Sequence, residues 1–248
     1  MFDVILSFAL AVVATVLAIT LHEAAHGYAA LAMGDDTARL AGRLSLNPLA
    51  HVDRFGTIVL PGFLLIAQLL TVHRVAFMFG WAKPVPVAAW KFRNPRRGMM
   101  FVAAAGPAMN FFLAWVGALG FYVTPLLGDP VLSQVFLFLF YFILANLVLG
   151  LFNLLPVPPL DGGRIVVGLL PLSAARAWAR LERTGILIVV LLMFLLPAIL
   201  RDYGVHFDPV GELIDRVGLP IARLLVTLAG SPADGLAMLH LLGADQGA

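Results

Sequence analysis

Long runs of apolar residues are the feature that most limits how this chain can fold. Four runs, at about 4–33, 98–126, 131–154 and 184–200, approach or exceed the roughly 20 residues that a helix needs to cross a bilayer. Only 12% of the 248 residues are charged, roughly half the share found in soluble domains. The sequence therefore predicts an integral, multi-pass membrane protein, and neither an appended soluble domain nor a nucleic-acid partner is expected.

Two further apolar segments are less regular. Residues 57–73 contain Pro61-Gly62, which disfavours one straight helix; we expect a re-entrant or broken segment, with a full crossing as the alternative. Residues 209–229 are amphipathic and are expected to lie in the interface or against the bundle. The predicted fold is an all-α polytopic membrane protein, a single membrane-embedded domain over 1–248 with about 4–6 transmembrane segments.

Two polar stretches favour a small membrane-associated β-hairpin or sheet beside the helices. In residues 39–46, Leu40, Leu44 and Leu46 are separated by polar or small residues, a pattern typical of a short strand. Residues 74–93 are basic and contain prolines, and they are expected to include a hairpin.

Positive charge indicates how the chain is oriented in the membrane. The segments 34–54, 74–97 and 155–183 carry 13 of the 16 Lys and Arg residues, whereas the connection 127–131 carries none. The positive-inside rule places the three basic segments in the cytoplasm. This arrangement requires residues 57–73 to begin and end on the same side, which favours re-entry.

The first apolar run contains the motif His-Glu-Ala-Ala-His at residues 22–26. On a helix, His22 and His26 lie one turn apart on one face and can bind a single zinc ion. Glu23 is placed to take a proton from a zinc-activated water. A chance match is disfavoured because an ionised carboxylate near the bilayer centre costs about 2.5–3.5 kcal/mol.

A catalytic zinc usually has a third protein ligand, and the candidate is Asp161 in "PVPPLDGGR". The prolines prevent regular helix before it, and Gly162-Gly163 permits a tight turn after it. The alternative is a cytoplasmic turn in which Asp161 caps a helix near Arg164. The pairing with the histidine motif favours the ligand, because both half-sites are expected at the cytoplasmic ends of their segments.

Asparagine side chains near the predicted site are candidates for oxyanion stabilisation. Asn153 and Asn110 lie near the inner ends of their segments, and Asn146 lies two turns before Asn153. An amide donor can stabilise a developing oxyanion. The alternative is hydrogen bonding between helices, which is common for membrane asparagines and is the preferred interpretation of Asn146.

Five motifs together resemble those of the site-2 proteases, a family of intramembrane zinc metalloproteases. They are HEAAH (22–26), LNPLAHVD (46–53), FGWAKPVPV (79–87), GPAMN (106–110) and NLLPVPPLDGG (153–163). The resemblance implies one Zn²⁺ per chain bound by His22, His26 and Asp161. It also implies Glu23 as general base and a contribution of Asn153 and Asn110 to holding the substrate or the oxyanion.

The resemblance further implies that the substrate is a transmembrane segment of another protein, expected to be of the single-span type. Because helices hide their peptide bonds, we expect an exposed strand to hold the substrate extended. Leu44, Leu46 and His51 are the candidate substrate-binding residues. The expected location is a prokaryotic cell membrane, with the active site towards the cytoplasm.

Two other classes of function fit part of the pattern. A divalent-metal transporter could use the same ligands, but transporters usually show internal repeats, and none is found in this sequence. A non-catalytic membrane scaffold would be expected to have a damaged ligand set, whereas here the set is complete.

Overall fold

A computed structural model of the protein describes residues 2–71, 73, 80–129 and 131–243, and these residues are largely helical. The α-helices are α1 (Phe2–Ala32), α2 (Thr37–Leu40), α3 (Leu60–Thr71), α4 (Pro95–Gly120), α5 (Val131–Asn153), α6 (Asp161–Leu169), α7 (Leu172–Ala179), α8 (Gly185–Val190), α9 (Leu196–Asp202), α10 (Pro209–Leu213), α11 (Leu219–Leu228) and α12 (Ala233–Gly243). Short 3-10 turns cover Pro48–His51, Ala89–Lys91, Thr124–Leu126 and Arg180–Arg183, and π-helical turns cover Arg54–Val59, Leu191–Leu195 and Ile214–Gly218.

Three helical stretches are long and apolar enough to cross a membrane, namely Ile5–Ala32, Pro95–Leu126 and Val131–Asn153. They include three of the four apolar runs seen in the sequence. The fourth run is helical through α8, a π-helical turn and α9, but it is not among the three spans. The expected total of about 4–6 crossings stays a prediction.

Helix α4 lies at the centre of the bundle, in contact with α1, α5, α6 and α11. Its buried face is rich in small residues, which allow membrane helices to approach closely. A Cβ on Gly117 would lie only 2.8 Å from Ile143 Cγ1 of α5. In α11, the buried Ala222 and Val226 pack on the same core, so the C-terminal amphipathic segment lies against the bundle.

The predicted β-hairpin is wrong for the described residues, which contain no strand. Helix α2 covers the first two residues of the expected strand, 39–46, and Gly42 then turns the chain with a φ of 64°. The next backbone groups are used locally, since Arg43 N donates to Ala38 O and Ser45 O accepts from His51 Nε2. A strand needs a neighbouring ladder of backbone hydrogen bonds, and these contacts replace it.

The second half of the predicted hairpin forms an extended segment, residues 80–88, which we call the strap. Residues 74–79 lie outside the described residues. The strap amides donate to four different parts of the chain: Trp81 N to Gly56 O (3.1 Å), Lys83 N to His51 O (2.8 Å), Val85 N to Glu23 Oε2 (3.1 Å) and Ala88 N to Asp35 Oδ2 (2.6 Å). Two of these acceptors are side-chain carboxylates, and the other two, His51 O and Gly56 O, lie in helical turns. The strap is therefore extended without belonging to a sheet.

The helix that includes α3 is continuous through Pro61 and Gly62. The π-helical turn Arg54–Val59 runs directly into α3, and such a turn accommodates the proline that was expected to break the helix. After α3 the chain returns to the beginning of this helix, because Trp81 N donates to Gly56 O and Thr57 Oγ1 donates to Trp81 O at 2.8 Å.

Candidate metal centre

His22 and His26 lie one turn apart near the cytoplasmic end predicted for α1, and their rings meet edge to face with centroids 4.6 Å apart. Their Nε2 atoms are 3.1 Å apart. Asp161 Oδ2 lies 3.2 Å from His22 Nε2 and 3.3 Å from His26 Nε2. The three residues that the sequence predicted as ligands are therefore brought together, although Asp161 lies more than a hundred positions after the two histidines.

Hydrogen bonds on the far side of each imidazole orient the two rings. His26 Nδ1 lies 2.7 Å from the carbonyl oxygen of Val102. A carbonyl only accepts, so this nitrogen carries the proton, and in the neutral imidazole Nε2 keeps its lone pair. His22 Nδ1 lies 2.6 Å from Asn110 Oδ1. Partners of this kind fix the tautomer and ring angle of metal-binding histidines.

Asp161 is buried at the first position of α6, next to the two imidazoles. Burial opposes its ionised form, but the contacts with His22 and His26 outweigh this effect and lower its pKa to about 2. Its Oδ2 atom has no hydrogen-bond partner among the described residues. The lowered pKa requires positive charge beside the carboxylate. With both Nδ1 atoms donating elsewhere, neutral imidazoles turn their Nε2 lone pairs towards Asp161, so a cation between the three atoms supplies this charge.

The spacing of these three atoms fits a zinc ion. Tetrahedral coordination with zinc–nitrogen and zinc–oxygen bonds of normal length separates neighbouring ligand atoms by about 3.3–3.5 Å, and the observed separations are 3.1–3.3 Å. The donor set of two imidazoles and one carboxylate is a common catalytic one. The residues present therefore fit the metal.

Glu23 lies beside this triangle, not in it. One carboxylate oxygen of Glu23 lies within 4.8 Å of ligand atoms of both His22 and His26, which makes it a rival to Asp161 as third ligand. Asp161 is favoured because its oxygen is closer to both imidazoles and has no other partner. Glu23 Oε2 instead accepts a hydrogen bond from Val85 N in the strap.

Gly106 of α4 is a site residue that sequence reasoning missed. A Cβ at this position would lie 2.5 Å from His26 Nε2 and 2.6 Å from His22 Cε1, so only glycine leaves room for both rings. The available signal was its spacing, since Gly106 lies one helical turn before Asn110 on the same face of α4.

Gly162 and Gly163 are needed for close packing. A Cβ on Gly162 would lie 2.2 Å from Leu154 O, and one on Gly163 would lie 2.3 Å from Pro158 N. The tight turn expected after Asp161 is replaced by the first turn of α6. The glycines let that turn pack directly on the proline-rich segment, which holds Asp161 in place.

One relative is similar enough over most of its length to show the family of this chain. The chain is 40% identical over 190 residues to "Putative zinc metalloprotease YwhC" of Bacillus subtilis, a match that covers 75% of this chain and 80% of the relative. The chain belongs to peptidase family M50. The sequence profile described as Peptidase family M50 itself matches residues 127–196, which include α5 and Asp161.

Two more distant relatives of this M50 peptidase share the name "Putative zinc metalloprotease Rip2". The protein from Mycolicibacterium smegmatis is 33% identical over 226 residues, covering 90% of this chain and 79% of the relative. The protein from Mycobacterium tuberculosis is 27% identical over 212 residues, covering 86% and 75%. No solved structure gives a significant match.

Membership of M50, the site-2 protease family, confirms the predicted enzyme class and cofactor. The protein is a membrane-embedded zinc metallopeptidase of the site-2 type. The roles of individual residues stay predictions, and the structure shows where each candidate lies.

The two candidate asparagines lie in different surroundings. Asn110 is fully buried, and its amide nitrogen is already used by Asn146 Oδ1 at 2.9 Å and Ala18 O at 3.4 Å. This geometry favours orientation of His22 over donation to an oxyanion. Asn153 lies at the last position of α5 and donates to Leu149 O at 3.0 Å; no contact with His22, His26 or Asp161 is found among the described residues.

The three candidate substrate-binding residues lie on the segment after α2. Leu44 packs on α1, where its Cδ2 atom would lie 2.6 Å from a Cβ on Gly27. Leu46 is exposed. His51 is buried, donates from Nε2 to Ser45 O at 2.8 Å and lines a cavity of about 300 Å³ between α1 and the strap.

Proposed function

We propose that this M50 peptidase is an intramembrane endopeptidase that hydrolyses peptide bonds in or near the transmembrane segments of other membrane proteins, in the manner of regulated intramembrane proteolysis. The observation that carries the proposal is the triangle of His22 Nε2, His26 Nε2 and Asp161 Oδ2, with Glu23 beside it. His22 and His26 lie on a helix long enough to cross the membrane, and α1 ends only six residues after His26, about 9 Å of helix.

In this proposal His22, His26 and Asp161 hold one zinc ion, which when bound would polarise a water molecule and the scissile carbonyl. Glu23 accepts the proton that the attacking water loses and returns it to the amine that leaves when the peptide bond breaks. Asn110 orients His22. Asn153 remains a candidate donor to the oxyanion, since its bond with Leu149 O uses only one of its two amide hydrogens.

The proposed substrate is a single-span membrane protein whose helix unwinds locally at the site. The cavity lined by Ile19, Thr20, His51 and Trp81 begins one turn before Glu23 on α1, so it is a suitable place for the substrate chain. Leu46 lies exposed on the same loop region. The strap is a poor template for a substrate strand, because Pro84 and Pro86 lack the amide donors that pairing requires.

We further propose a multi-pass protein in a prokaryotic cell membrane with its metal centre towards the cytoplasm. The relatives are bacterial, and the basic segments follow the positive-inside rule. The return of the strap to Gly56 and Thr57 supports re-entry of the α3 region, since both ends of that region lie together.

The Glu23→Gln substitution tests the proposed chemistry. Purified parent and variant are reconstituted into vesicles with a single-span substrate, and bound zinc and cleavage are measured. We expect zinc to be retained and cleavage to fall by about 10²–10⁴-fold, the usual contribution of a general base. Glu212→Gln is the matched control, because Glu212 is exposed and pairs with Arg216 on α10 and the following turn.

Two outcomes would contradict the proposal. Parental cleavage by Glu23→Gln would show that Glu23 is not the base. Zinc movement into vesicles by the parent, with no cleavage of any single-span substrate, would favour a transporter.

A further inference from the structure

Two asparagine side chains form a buried chain of hydrogen bonds that ends at the metal centre. Asn110 on α4 and Asn146 on α5 are both fully buried. Asn146 Nδ2 donates to Phe142 O at 2.8 Å, Asn110 Nδ2 donates to Asn146 Oδ1 at 2.9 Å, and Asn110 Oδ1 lies 2.6 Å from His22 Nδ1. The chain therefore joins α5, α4 and α1.

The direction of this chain is fixed at its far end. The carbonyl of Phe142 can only accept, so the amide nitrogen of Asn146 must face it. The oxygen of Asn146 then faces Asn110 and requires a donor there, which is Nδ2. A second carbonyl, Ala18 O at 3.4 Å, lies on the same side of Asn110. Rotating the Asn110 amide by half a turn would place its oxygen against the oxygen of Asn146. Rotating the Asn146 amide would place its oxygen against Phe142 O and its nitrogen against the nitrogen of Asn110.

The fixed direction decides the protonation of His22. Since Asn110 presents its oxygen to His22, Nδ1 must carry the proton, and in the neutral imidazole Nε2 then carries the lone pair. That is the tautomer required of a ligand that points Nε2 at the metal. His26 obtains the same result from the carbonyl of Val102, but His22 depends on two amides that could otherwise rotate.

We propose that Asn146 is a positioning residue of the metal centre, which it does not touch. It holds the amide of Asn110 in the one orientation that prepares His22 to bind zinc. The inference rests on the proposed role of His22 as a zinc ligand. It adds a residue of α5 to the metal centre, whose proposed ligands and their orienting partners otherwise lie on α1, α4 and α6.

Zinc affinity of detergent-purified protein, measured by competition with a chelator, tests this role. Asn146→Leu removes both hydrogen bonds and should weaken zinc binding about tenfold, near the low end for the loss of such partners. Asn146→Asp should stay within about threefold of the parent, because burial favours the neutral acid. Its hydroxyl can then donate to Phe142 O while its carbonyl oxygen accepts from Asn110.

Thr124→Val is the matched control for losing a buried hydrogen bond. Thr124 is fully buried, its Oγ1 bonds to Phe121 O and Asp234 Oδ2, and it lies on the turn after α4, remote from the metal centre in sequence. This variant should lose stability but keep parental zinc affinity. The nitrogen-15 spectrum of histidine-labelled, zinc-loaded parent adds a measurement that needs no variant, and should show two metal-bound imidazoles with protonated Nδ1.

The inference is overturned if Asn146→Leu binds zinc as tightly as the parent, if Asn146→Asp is as weak as Asn146→Leu, or if the spectrum shows a zinc-bound imidazole with protonated Nε2. Failure of the proposed function would be seen in the parent protein, not in the Asn146 variants. In that case the parent itself binds no zinc, or binds zinc without cleaving any substrate.

Discussion

At the residue scale, the metal centre depends on the missing side chain of Gly106 as well as on its candidate ligands. Gly106 presents no side chain to His22 and His26, and the close approach of α4 to α1 places Val102 O and Asn110 Oδ1 against their Nδ1 atoms. The neighbouring helix α4 thus sets both the orientation and the tautomer of two imidazoles on α1.

Substituting Gly106 by alanine should therefore damage the site. The added methyl group would lie within 2.6 Å of both imidazoles, so the rings must move away from the positions that suit a metal. We expect zinc affinity to fall by about tenfold or more, comparable with the loss of an orienting partner. Chelator competition measures the change.

Gly62→Ala is the control for adding a methyl group to a helical glycine, since nothing lies within 4 Å of a Cβ there. That variant should bind zinc like the parent and be slightly more stable, because alanine is the better helix former. Equal zinc affinity of Gly106→Ala and the parent would show that the rings can shift without loss.

At the scale of elements, the strap is the unusual part of the fold. It is fixed at both ends, by Gly56 and by Asp35, and between them Val85 N holds one oxygen of Glu23. Arg43 adds to this anchoring, because its guanidinium donates to Lys83 O at 2.7 Å and to Ala50 O. The proposed general base is thus positioned by an extended segment that is itself held by polar contacts.

Asp35 gives the strap a predicted dependence on pH. Burial opposes its ionised form, but hydrogen bonds from Thr37 and Ala88 and the charge of Lys91 outweigh burial and lower the pKa of Asp35 below its ordinary 3.8. A lowered folded-state pKa means that this stabilisation is present above pH 3.8 and is lost as the pH falls through the lower folded value.

The Asp35→Asn substitution should release the strap at neutral pH. One of the two carboxylate acceptors is replaced by a donor, which costs about 1–3 kcal/mol for the unsatisfied buried groups. We expect faster amide hydrogen exchange at Val85 and Ala88 than in the parent, and no further loss of this stabilisation below pH 3.8. Asp36→Asn, at a partly exposed neighbour that also binds Lys91, should leave exchange in the strap unchanged. Equal effects of the two substitutions would contradict the special role of Asp35.

At the scale of the whole molecule, the sidedness of the α3 region decides whether the metal ligands meet. His22 and His26 come before this region and Asp161 after it, so a full crossing would change the side on which α5 ends. The contact between His22 and Asp161 and the return of Trp81 to Gly56 both agree with re-entry.

Single cysteines can test this arrangement without background, because the chain contains none. Arg54→Cys and Arg93→Cys should react with a membrane-impermeant thiol reagent from the same side of sealed vesicles. Asp129→Cys, in the connection between α4 and α5, should react from the other side. Labelling of positions 54 and 93 from opposite sides would establish a full crossing and exclude re-entry.

Local spacing along the sequence was sufficient to predict much of this protein. The i, i+4 separation of His22 and His26 places them on one face of any helix, and an apolar run of sufficient length predicts a membrane-crossing helix. The positions of Glu23 and Asp161 followed from the chemistry that two such imidazoles require. Relatives then confirmed a zinc metallopeptidase.

Only the tertiary structure decided how the site is supported. The need for glycine at 106, the orientation of Asn110 by Asn146 and the bond from Val85 to Glu23 all depend on contacts between segments distant in sequence, which no local pattern specifies. The predicted strands were wrong for the same reason, because an extended segment becomes a strand only when a neighbouring segment pairs with it through a ladder of backbone hydrogen bonds. By itself the sequence determined which groups could bind zinc and act on water, while helix packing decided which atoms hold those groups in place.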